Sequence, residues 1–136
     1  MANPKVDEVH SWLIKARQDL DAAAWLLESP HPLYSVVGFH CQQAAEKALK
    51  AHLTWHDEPF EKIHSLVALV GMCLRFTPNF DELRTAATTL TPYAVTTRYP
   101  GSLPEISARE AQDALASARL IWEFILAHLP EEARIS

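Results

Sequence analysis

Apolar residues recur every three or four positions through most of the chain, and the rhythm breaks at proline-rich stretches. Val6, Val9, Leu13, Ala16, Leu20, Ala23, Ala24 and Leu27 form one stripe, predicting a first helix from about Pro4 to Glu28 with Asn3 as its cap. Lys15, Gln18 and Asp19 are expected opposite that stripe, in solvent. The segment SPHP at 29–32 stops the helix, because prolines lack the N–H that a continuing helix needs. A second helix is predicted from about Leu33 to Trp55, then a polar loop over Asp57 to Lys62.

His64 opens a third predicted helix, apolar at Leu66, Leu69, Val70 and Cys73 and broken at Thr77-Pro78. Asn79 and Glu82 resemble a capping box for a short helix reaching about Leu90. The stretch TPYAVTTRYPGSLP is irregular, and Ser107 with Glu110 caps a last helix that Pro130 ends. The expected fold is all-α: an up-and-down antiparallel bundle of four long helices and one short one, forming a single domain.

Composition sharpens this picture. The 136 residues include only three glycines, too few for the tight turns of an all-β domain. A formal charge of -5 argues against a basic face gripping a polyanion, though a small phosphate pocket remains compatible with it. Cys41 and Cys73 stand at no metal-like spacing and predict buried, reduced thiols. With no signal-like N-terminus and no long apolar run, the expectation is a soluble cytoplasmic protein.

The segment FHCQQAAEKALKAHL carries the candidate chemistry. At 100° per residue, His40, Gln43, Lys47 and Lys50 fall within about 80° of one another. Ala44, Ala48 and Ala51 form an adjoining small-residue strip that allows close helix approach. Either the polar face rims the bundle and pairs with acidic neighbours, or it lines a cleft in which ammonium groups and an imidazole converge on phosphate. His64 at a helix start, Arg98 as a bidentate donor and Tyr99 as a ring with a hydroxyl extend the second account.

Other chemistry is poorly supported. His52 and His56 have metal-ligand spacing, but only two ligands are placed and no metal or cofactor is expected. Glu46 has no visible partner for acid–base work, and no glycine-rich phosphate loop is present.

Taken together, WLIKARQDLDAAAWLL, FHCQQAAEKALKAHL, IHSL and TTRYPG resemble the HEPN domain family, from about Val9 to Leu129. The resemblance implies a dimerising helical bundle associated with nucleotide binding, often paired with a minimal nucleotidyltransferase in two-component or toxin–antitoxin systems. Several branches are metal-independent ribonucleases with an Arg, four to six residues and a His. Here no histidine lies five to seven positions after any arginine, so the usual proton carrier of that motif is missing. The expectation is therefore a non-catalytic homodimeric module holding a nucleotide or RNA phosphate through His40, Gln43, Lys47, Lys50, His64, Arg98 and Tyr99. The alternatives are a divergent ribonuclease using Arg98 with His64 or Tyr99, and a ligand-free dimerising scaffold.

Overall fold

A computed structural model describes residues 3–94 and 105–135 of the chain. Five α-helices follow one another, with no strand among the described residues: α1 (Pro4–Leu27), α2 (Tyr34–Trp55), α3 (Leu66–Cys73), α4 (Arg84–Leu90) and α5 (Ala108–Ala127). Short 3-10 segments lie at Pro78–Leu83, Thr91–Tyr93 and Glu131–Ala133.

The helix starts follow from local chemistry. The Asn3 side chain accepts hydrogen bonds from the Lys5 and Val6 amides at 3.0 and 3.4 Å, and Pro4 occupies the first turn. Ser107 and Glu110 close a reciprocal capping box at α5, each bond 3.1 Å long. Two details depart from the pattern. The third helix is only eight residues long, because Ser65 rather than His64 caps it and Pro78 holds Thr77 extended. Asn79 caps nothing: it sits inside the 3-10 turn that Pro78 initiates, and α4 begins at Arg84.

The long helices α1 and α2 pack together as a hairpin across residues 28–33, and α2 also contacts α5, α3 and α4. That central position explains its alanine content. Ala44, Ala45, Ala48 and Ala51 are all buried, and their small side chains bring neighbouring helices close. Gly38 serves the same end, since a Cβ there would stand 2.9 Å from Cγ of the buried Tyr93 ring. Val9, Leu13, Leu49, Leu53, Leu69, Phe80, Ile121 and Ile125 fill the core between the helices.

Cys41 and Cys73 are buried and unpaired, and burial pushes both thiols up to about 12, which makes them poor nucleophiles. The loop between α2 and α3 carries two non-glycine residues in the left-handed region, Asp57 (φ 56°) and Lys62 (φ 62°). No described helix is long and apolar enough to cross a membrane.

Candidate functional site

The polar face of α2 is neither a bare cation cluster nor a solvated rim. It is organised around two buried carboxylates. Asp19 of α1, expected in solvent, is only 9% exposed. It accepts hydrogen bonds from His40 Nδ1 at 2.9 Å and Lys47 Nζ at 2.6 Å. Glu46 of α2, expected to lack a partner, accepts from Lys50 Nζ at 2.9 Å, His64 Nδ1 at 3.0 Å and Gln42 Nε2 at 3.2 Å. Gln43 Nε2 donates to Gln42 Oε1 at 2.8 Å, joining the outer edge to this network.

Each carboxylate thus holds one lysine and one histidine. Burial alone would raise the Glu46 pKa, but hydrogen bonds from His64, Lys50 and Gln42, with the Lys50 charge, hold it below its ordinary value. An ionised Glu46 can only accept, so the His64 proton sits on Nδ1 and a neutral ring keeps a lone pair on Nε2. The His64 side chain is 71% exposed, so a buried carboxylate orients an imidazole that solvent can reach.

Exposure separates the candidate residues. Lys50 is 6% exposed, with its ammonium 5.7 Å from the Trp12 ring centroid and 5.5 Å from that of Phe60. From there it bonds Glu46, which in turn accepts from His64. His40, Gln43 and Lys47 are half-buried along the rim, and His64 reaches furthest into solvent. Arg98 and Tyr99 lie outside the described residues.

A second histidine cluster sits at the other end of α2. His52 is fully buried, and neither ring nitrogen has a hydrogen-bond partner. Its ring lies 4.6 Å from that of His56 and 4.5 Å from that of Phe80, while His56 stacks on Phe76 at 4.3 Å. Burial, then the nearby His56 and His128, push the His52 pKa down to about 3. Among the described residues no group of three or more ligating side chains could hold a metal. The helical spacing of His52 and His56 places their rings side by side, tilted at 55°.

These observations define a class: a helical bundle whose central helix carries a network of lysines and histidines on two buried carboxylates, most open to solvent at His64. The HEPN domain model matches residues 9–129, and the chain belongs to the HEPN family. A solved protein of Thermus thermophilus is 30% identical, with a TM-score of 0.76, over 90% of this chain and 98% of that one. An archaeal HEPN homologue at 23% identity shares the fold, with a TM-score of 0.70 over 87% of this chain and 94% of its own. No curated protein matches the chain.

Proposed function

We propose that this HEPN protein is a non-catalytic cytoplasmic binding module that works as a homodimer. It would recognise the phosphate of a nucleotide or nucleic acid on the polar edge of α2 and act beside a nucleotidyltransferase-type partner in a two-component or toxin–antitoxin system. The supporting observation is the connected network itself. Two lysines and two histidines are positioned by Asp19 and Glu46, and His64 and Lys47 extend from it toward solvent. The Lys47 ammonium keeps N–H donors beyond its Asp19 bond, and either imidazole offers an Nε2–H to an anion in its protonated form, so groups held this way lose little freedom on meeting one. In this reading Gln43 and His40 flank the phosphate, Lys50 holds Glu46 in place, and Arg98 and Tyr99 complete the contact set.

The test is the thermal midpoint of the purified protein against nucleoside mono-, di- and triphosphates. A ligand specific for the folded state contributes about 2.7 kcal/mol at a hundred times its dissociation constant, a shift of several degrees. The shift should vanish in His64→Ala and in Arg98→Ala. A flat panel would remove the nucleotide from the reading and leave a module that works through protein contacts.

One observation favours a second reading. The Glu46–His64 pair has the geometry of an oriented general base, which the family's arginine–histidine motif would otherwise supply. On that reading the protein is a divergent metal-independent ribonuclease. It predicts cleavage of bulk RNA in chelator, reduced at least a hundredfold or so in His64→Ala. Equal cleavage by the variant, or none by the native chain, would sink it.

A further inference from the structure

We infer that the anion site proposed above is gated by protons: a phosphate that binds there brings a proton onto Nε2 of His64 and of His40. The inference rests on the phosphate reading and supplies the regulation of that site. It follows from how the two rings are held. His64 Nδ1 is bonded to Glu46 Oε2 at 3.0 Å, and His40 Nδ1 to Asp19 Oδ1 at 2.9 Å. Both carboxylates also take a lysine ammonium, so each is an acceptor and a neutral ring keeps its one proton on Nδ1. What that ring turns away from its carboxylate is the Nε2 lone pair, which repels a phosphate oxygen.

The surrounding charges leave an imidazolium short of a counter-ion until an anion arrives. Lys50 Nζ donates at 2.9 Å to the same Glu46 oxygen that His64 uses, and Lys47 Nζ donates at 2.6 Å to the second Asp19 oxygen. Two ammoniums therefore match the two carboxylates, and the network with both rings neutral carries no net charge. On the His40 side Arg119 of α5 adds a further positive charge, close enough to act on the neighbouring Cys41. On the His64 side the loop places the exposed Glu61 and Lys62, one of each sign, just before the ring. A phosphate oxygen at Nε2 brings the missing negative charge and a hydrogen-bond acceptor together. Anion and proton thus bind cooperatively, and by linkage the affinity for phosphate falls as pH rises.

The experiment is isothermal calorimetry of the full chain from pH 6.5 to pH 8, in buffers of different ionisation enthalpy. Adenosine 5′-monophosphate and hexauridylate are the two probes, one for a free nucleotide and one for a nucleic-acid strand. The dependence of the heat on the buffer counts the protons taken up. The bound probe should bring in about one proton or more, and its affinity should fall roughly tenfold or more across the range. Glutamine donates from its amide at any pH, so His40→Gln/His64→Gln should lose the uptake that the native chain shows with the same probe. His64→Gln alone, at an exposed position, should lose about half of it.

Binding by the native chain without proton uptake would overturn the inference and leave the phosphate reading standing. So would uptake undiminished in either variant. No binding of either probe at any pH would end both.

Discussion

Acidification from pH 7 to pH 5 should destabilise the protein by about 2 kcal/mol through His52 alone, lowering the thermal midpoint by roughly 7 °C. The unfolded chain takes up a proton on His52 near the ordinary histidine value of about 6.5. The folded chain resists protonation until about pH 3, because the ring is fully buried beside Phe80, with His56 and His128 adding like charge. A histidine depressed in the folded state contributes stability that is complete above the upper value. That stability drains away as pH falls through the window between 6.5 and about 3. His52→Leu removes the titrating group and two unpartnered nitrogens, so its midpoint should change much less between pH 7 and pH 5 and start no lower than the native one. Parallel pH curves for the two proteins would show that His52 is not the source.

The largest single loss is expected at Glu46. Glu46→Ala strands the Lys50 ammonium, 6% exposed, without its counter-charge, and such an uncompensated buried ion costs about 3–5 kcal/mol. Gln42 and His64 lose their acceptor at the same time. The exposed pair of Arg84 and Asp81 makes the comparison, since Arg84→Ala should cost less than about 1 kcal/mol. If the burial argument is right, Glu46→Ala/Lys50→Met recovers much of the loss, because the stranded charge has gone. Denaturant unfolding would measure all three variants. A Glu46→Ala cost no greater than that of Arg84→Ala would mean that water reaches Lys50 after all.

The helical architecture was legible because periodicity, proline breaks and caps at Asn3 and Ser107 are local signals, and local signals survive folding. The third helix was harder. Its apolar positions were right, but where it stops depends on Pro78 fixing Thr77, not on the stripe. The grouping of His40, Gln43, Lys47 and Lys50 was also visible, since helical spacing alone puts them on one face. What paired with them was not. Asp19 lies only about 60° from Ala16 on α1, at the flank of the buried stripe rather than opposite it, and that angle was the available signal. Glu46 meets His64 across eighteen positions of sequence, a contact that no spacing rule anticipates.

The hairpin of α1 and α2 has a consequence for how the chain reaches this state. These two helices meet across residues 28–33, so joining them closes a short loop at little entropic cost. Joining α5 to α2 encloses the whole stretch from Trp55 to Ala108, a far larger loop. The α1–α2 pair is therefore the natural nucleus, with α5 docking onto a platform already half built. The Asp19–Lys47 bond lies within that nucleus, whereas Glu46 gains His64 only when the following loop closes over it. The two carboxylates, alike in the finished molecule, belong to different moments of its assembly, and substitutions at them should divide between slower folding and faster unfolding accordingly.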